Sequence, residues 1–155
     1  MKQSAGTLLY RSKEGETQFF LVHPGGPFFA KKNEGWWSIP KGELNENEIP
    51  LDAAVREFEE ETGYKPQPPF MELHPITQKG GKKVMCWAAM GDLDPETITC
   101  NAFEMEWPPR SGRKATYPEI DKAGWFAFAE AKILINERQV AFLEELVAIL
   151  NGSSF

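Results

Sequence analysis

The stretch from Gly42 to Tyr64, GELNENEIPLDAAVREFEEETGY, constrains this chain more than any other. Pro50 suits a first helical turn, and good helix formers follow up to Gly63, a residue type that ends helices in the left-handed conformation. On a helix advancing ~100° per residue, Glu57, Glu60 and Glu61 stand at i, i+3 and i+4 and share one face. Leu51, Ala54 and Phe58 fall on a neighbouring face and are expected to pack against a sheet. Like charges at these spacings repel, so the cluster calls for a counter-charge. Arg56, four residues before Glu60, supplies one and would make this a solvated acidic face. A bound cation supplies another, since hard carboxylate oxygens suit Mg2+ or Mn2+ far better than zinc. The helix alone leaves both readings open.

A chain of 155 residues is long enough for a real core, and a single domain over residues 1–155 is expected. A hydrophobic content of 41% with eleven phenylalanines supports a packed globule. The net charge of −6 argues against an extended nucleic-acid surface but allows a local basic pocket. No apolar run approaches the ~18 residues of a membrane span, and MKQSAGTLLYRS has too little apolar length for a signal peptide. Cys86 and Cys100 lack metal-type spacing, so a reduced, cytoplasmic setting is the expectation. Cys86, in VMCWAAM, reads as core. His23 and His74 are isolated and read as structural.

AGTLLYR and TQFFLVH read as two strands joined by the turn SKEGE. HPGGPFFAKKNEG is a loop, and WWSIP a short strand leading into the helix. FMELHPITQ and KKVMCWAAMGDL read as strands with KGGK as their turn. TITCNAFEMEW is a candidate extension of the sheet, WPPRSGRKATYPE an irregular loop, and GWFAF a last strand. NERQVAFLEELVAIL has helical spacing through Val140, Leu143, Leu146, Val147 and Leu150, with Asn136 as candidate N-cap. Strands with two amphipathic helices imply a sheet covered by one helix on each face.

The spacing G-x5-E-x7-R-E-U-x-E-E-x-G-U, with U apolar or aromatic, is filled by Gly42, Glu48, Arg56, Glu57, Phe58, Glu60, Glu61, Gly63 and Tyr64. At about 5% usage per residue type, the seven fixed positions match by chance roughly once in 10^9 placements. The pattern resembles the signature of the Nudix hydrolases. That resemblance implies an α+β fold, an α/β/α sandwich around a mixed sheet. It also implies Mg2+- or Mn2+-dependent hydrolysis of a nucleoside diphosphate linked to another group, a nucleotide-type small molecule. By position, Glu57, Glu60 and Glu61 match the motif's principal metal-binding glutamates, and Glu48 the earlier, more variable one. Arg56 matches the arginine that orients a catalytic glutamate. Gly42 and Gly63 match the structural glycines.

WSIPKGE resembles the W-x-x-P-K-G lead-in of dinucleoside polyphosphate hydrolases, which would set Lys41 to offer an ammonium to phosphate. Tyr117-Pro118-Glu119-Ile120-Asp121 followed by Gly124-Trp125 resembles the P-E-x-D…W segment of RNA 5′-pyrophosphohydrolases and related Ap4A hydrolases. Glu119 then matches a catalytic or metal-binding glutamate outside the helix, with Glu104 and Glu106 of FEMEW as rivals. Arg110, Arg113 and Lys114 form a local basic cluster suited to phosphate. Lys79, Lys82 and Lys83 fit that role or a merely solubilising one. For stacking on a base, Phe28, Phe29, Trp36, Trp107 and Tyr117 are candidates.

Residues 79 and 80 are Lys and Gly where ADP-ribose hydrolases carry a proline, and the NADH-hydrolase element SQPWPFPxS is absent. The tyrosine common in dinucleoside polyphosphate hydrolases is missing from residues 79–83. The expected substrate is therefore a dinucleoside polyphosphate or a (d)NTP. RNA 5′-pyrophosphohydrolysis is an alternative, and a catalytically degenerate ligand-binding or regulatory module is another.

Overall fold

In the central strand, β1 (Gln3–Lys13), every residue from Ser4 to Leu9 is buried, which marks a strand covered on both faces. The computed structural model describes residues 2–152; residues 1 and 153–155 of the expected domain lie outside it. Around β1 the elements run β2 (Glu16–Pro24), β3 (Lys41–Glu43), α1 (Pro50–Thr62), β4 (Met71–Glu72), β5 (Ile76–Thr77) and β6 (Lys83–Met90). They continue with β7 (Ala102–Glu106), β8 (Lys114–Pro118), β9 (Ile120–Ala127), α2 (Phe128–Leu134) and α3 (Val140–Leu150). The main sheet has the order β4-β6-β1-β2-β9, with β3 added to β1 and β5 to β6. β6 runs parallel to β1 and the other pairings are antiparallel, so the sheet is mixed.

Alternation along the strands sorts the core into two layers. Leu8, Phe19 and Leu21 pack with Phe142, Leu143 and Leu146 of α3. Leu9, Phe20 and Val22 pack with Phe58 of α1, while Ala53 and Ala54 meet Ala5 and Trp87. The result is the expected sandwich, one helical layer on each face of a mixed sheet. Pro50 opens α1, and Gly63 closes it in the left-handed region at φ 83°. Cys86 is buried core.

Several local readings need correction. WWSIP forms only isolated bridges, Val22 to Ser38 and Trp37 to Ile135, and the strand itself lies further on at Lys41–Glu43. The Pro in WWSIP removes a ladder donor there. FMELHPITQ breaks at its own proline into β4 and β5, both paired with β6. TITCNAFEMEW does not extend the main sheet: β7 pairs with β8 in a separate two-stranded arm. The supposed irregular loop is thus the turn and second strand of that arm. The last strand begins at Ile120 rather than Gly124 and runs directly into α2, which has no side-chain cap. Asn136 caps a short 3-10 turn, Glu137–Gln139, ahead of α3. Among the described residues no helix is long and apolar enough to cross a membrane.

Candidate active site

β3 lies across the N-terminal half of β1, pairing Ala5 with Gly42 and Gly6 with Lys41. This lays the backbone of residues 41–43 directly over α1. Gly42 has no Cβ, which leaves room beneath it for the Glu57 carboxylate. Glu61, one turn further along α1, is only 9% exposed and takes a hydrogen bond from the Lys41 backbone.

The acidic face divides by depth. Glu57 and Glu61 turn inward, whereas Glu60 is exposed on the rim. Arg56 gathers the others: its Nε and Nη2 donate to the two Glu48 oxygens at 2.8 and 2.9 Å. Its Nη1 donates to Glu57 at 3.1 Å and to Glu60 at 3.2 Å. Glu48 also accepts from the Asn45 backbone, so both its oxygens are engaged. The Arg56 hydrogen bonds hold the Glu48 carboxyl below its ordinary range. Glu48 is therefore held against the arginine.

Glu119 arrives from the edge of the sheet, immediately before β9. Its N–H donates to the Asn101 carbonyl at 2.9 Å, and its own carbonyl accepts from Gly25 at 2.8 Å. Pinned between the arm and the end of β2, it meets Lys41 and Glu61 across a pocket of about 160 Å3. Val22, Trp36 and Ile120 complete much of the wall. A larger hollow of about 480 Å3 beside Arg11 and Asp92 has no such gathering of carboxylates.

The electrostatics show that these groups share one field. Burial pushes the Glu61 carboxyl up to about 9, and the charges of Glu57 and Glu119 add to the rise while Lys41 opposes it. Burial likewise raises Glu57, with Glu60 and Glu119 contributing and Arg56 opposing. Burial and the neighbouring Lys82 lower the Lys41 ammonium. Mutual repulsion among three hard carboxylates is relieved by a divalent cation, and the all-oxygen donor set fits Mg2+ or Mn2+. Among the described residues no three such side chains already converge on an ion-sized point. Mg2+ does not need that, because it keeps several waters and takes one or two carboxylates with substrate phosphates.

The rival glutamates face elsewhere. Glu104 sits 3.9 Å from Lys114 on the arm. Glu106 accepts from the backbones of Arg110 and Gly112, folding the arm's tip. Arg110 and Arg113 are exposed at that tip, and Tyr117 packs on Phe103 with ring centroids 6.1 Å apart. None of these three lines the carboxylate pocket. Sequence reasoning missed the pair Lys82–Glu43, at 3.6 Å, which borders Lys41. Only the meeting of β3 with the turn before β6 creates it, so no local signal announced it. His23 is fully buried between Asp121 and the Lys32 carbonyl, a structural position.

Comparison with known proteins places this geometry. A Caenorhabditis elegans Ap4A hydrolase superposes with a TM-score of 0.67 at 21% identity, covering 98% of this chain and 99% of that one. The NUDIX domain of Shewanella oneidensis NrtR, complexed with ADP ribose, superposes at 0.65 with 15% identity, covering 96% and 87%. At these identities the likeness establishes a shared fold. An uncharacterized mimivirus protein, L534 of Acanthamoeba polyphaga mimivirus, is 40% identical over 60 residues. That match covers 39% of this chain and 19% of the relative, so the chain spans about a fifth of its length. Residues 2–146 match the NUDIX domain family, nearly the whole chain. With the full glutamate pattern on α1 and the turn before it, and the sandwich that presents it, the chain belongs to the NUDIX domain family.

Proposed function

We propose that this protein hydrolyses a phosphoanhydride bond in a nucleoside diphosphate linked to another group, a dinucleoside polyphosphate or a (d)NTP. The observation that carries the reading is the convergence of Glu61 and Glu119 with Lys41 on one pocket, with Glu57 in the same field. Glu57, Glu61 and Glu119, joined at the rim by Glu60, would hold Mg2+ or Mn2+. Such ions, when bound, screen phosphate oxygens and lower the pKa of an attacking water. Arg56 orients Glu57 through its Nη1 hydrogen bond. Lys41 faces the space a phosphate would fill and supplies it with a cation. The Glu119 carboxylate, held by its backbone from both sides, is positioned to accept a proton from water at its oxygens.

The experiment is turnover of dNTPs, Ap4A, Ap6A, ADP-ribose and 5′-triphosphorylated RNA with Mg2+ or Mn2+, against the same panel with EDTA. Metal-dependent release of a nucleotide and a second phosphate-containing fragment supports the reading. A protein that binds members of the panel and converts none is a ligand-binding module instead.

A further inference from the structure

The carboxylate pocket measures about 160 Å3, below the ~300 Å3 at which pockets begin to enclose whole ligands. It has room for phosphate groups and not for a nucleoside. A base attached to those phosphates must rest on the rim. Of the pocket's apolar walls, Val22, Ile39 and Ile120 are buried, whereas Trp36 is 41% exposed.

Trp36 is also braced. Phe29 packs on it with ring centroids 5.7 Å apart, and Phe28 stands edge-on to Phe29 at 4.9 Å. The Lys32 ammonium lies 4.9 Å from the Trp36 ring and 5.1 Å from that of Phe28. The backbone beneath is tied at successive points. His23 Nε2 donates to the Lys32 carbonyl, the Trp37 indole donates to Asn33 at 2.8 Å, and Gly35 N–H donates to Leu134 at 2.9 Å. An exposed aromatic shelf held this firmly has its ordering cost met before any ligand arrives. Exposing it beside a phosphate-sized, cation-lined pocket fits a nucleobase, whose π-face stacks on an indole.

We propose that Trp36 is the platform on which the substrate's nucleobase stacks, with Phe28, Phe29 and Lys32 bracing it. This rests on the phosphoanhydride reading only for the identity of the substrate, since stacking is measurable without turnover. A methylene-bridged, non-hydrolysable ATP and inorganic tripolyphosphate are titrated calorimetrically with Mg2+ into wild type, Trp36→Ala, Trp36→Leu and Trp36→Phe. Trp36→Ala and Trp36→Leu should weaken the ATP analogue at least about tenfold and leave tripolyphosphate within about twofold. Trp36→Phe, which restores a π-face, should recover most of the loss. Trp36→Leu keeps apolar bulk, so its loss is not attributable to a collapsed loop. If wild type hydrolyses nothing but shows this pattern, the platform stands and the hydrolytic reading falls. If wild type binds the analogue no better than tripolyphosphate, or Trp36→Leu binds it as wild type does, the platform is overturned even where hydrolysis proceeds.

Discussion

Gly42 lies so close over Glu57 that a Cβ added at Gly42 would come within 2.1 Å of the Glu57 carboxyl carbon. The obstructed atom is the far end of a flexible side chain, so the protein can yield by swinging the carboxylate aside. Gly42→Ala should therefore cost little stability but displace a group the chemistry needs. The expected result is a melting temperature within a few degrees of wild type and kcat lowered by at least about tenfold. Unchanged kcat would show that the close approach has no bearing on the reaction.

Arg56 offers a second test, because one guanidinium serves Glu48, Glu57 and Glu60. Arg56→Ala leaves three carboxylates without their cation in a partly exposed setting. Hydrogen bonds to charged groups contribute about 1.5–3 kcal/mol when buried, and solvent screening discounts that here. A loss of about 1–2 kcal/mol is expected, or roughly 2–8 °C in thermal melts at this chain length. Arg56→Lys should recover little activity, since an ammonium cannot reproduce the two-pronged grip on Glu48.

Burial of Glu61 makes the stability of the metal-free protein depend on pH. With no ion present, the Glu61 carboxyl is raised from its ordinary 4.5 to about 9 in the folded state. The folded protein then binds more protons than the unfolded chain between those values, so its stability falls as pH rises through that window. Glu61→Gln removes this ionisation. In EDTA at pH 8 the variant should melt above wild type, with the gap closing below about pH 5. Glu60, exposed and paired with Arg56, should show no such gain on Glu60→Gln. Both variants should lose at least ~100-fold in turnover, because each removes a full charge from the ion's surroundings.

Glu119 and its rivals are distinguished by kinetics under saturating Mg2+. Glu119→Gln should depress kcat strongly with KM little changed, since the lost carboxylate acts mainly in the transition state. Glu104→Gln and Glu106→Gln, on the arm and its tip, should leave kcat within about threefold. A near-normal Glu119→Gln beside an inactive Glu106→Gln would move the role to the arm.

What was legible in the sequence was what is local. α1 could be bounded from Pro50 and Gly63 because helix start and stop signals lie within the helix itself, and Leu51, Ala54 and Phe58 marked its inner face. The arm was legible only in part. In β7, Phe103 and Met105 alternate with Glu104 and Glu106, a strand pattern that did not say which sheet it joins, whereas β8, KATYP, is largely exposed and carries no such alternation. Pro108, Pro109 and Gly112 marked an irregular loop, but not that a second strand, β8, followed within it. α2 escaped notice because seven residues without a cap, FAEAKIL, continue straight from a strand. In the candidate site, the shared face of the α1 glutamates was readable from spacing, and Glu119 was suggested only by the resemblance of residues 117–125 to a segment of related hydrolases. The depth ordering of Glu57, Glu60 and Glu61 was not, because it depends on β3 lying over the helix. Nor was the bracing of Trp36, which comes through His23 and residues 133 and 134, distant in the chain.

The proposed hydrolysis has the carboxylate pocket direct water onto phosphorus in a nucleoside polyphosphate. Its most direct test is hydrolysis of Ap4A and dATP in 18O-labelled water with Mg2+, with the label traced by mass spectrometry. One 18O in a phosphoryl group of the products, no turnover with EDTA, and at most about 1% of wild-type rate in Glu61→Gln are expected. Turnover that persists in EDTA, or label found outside the phosphoryl groups, would contradict it.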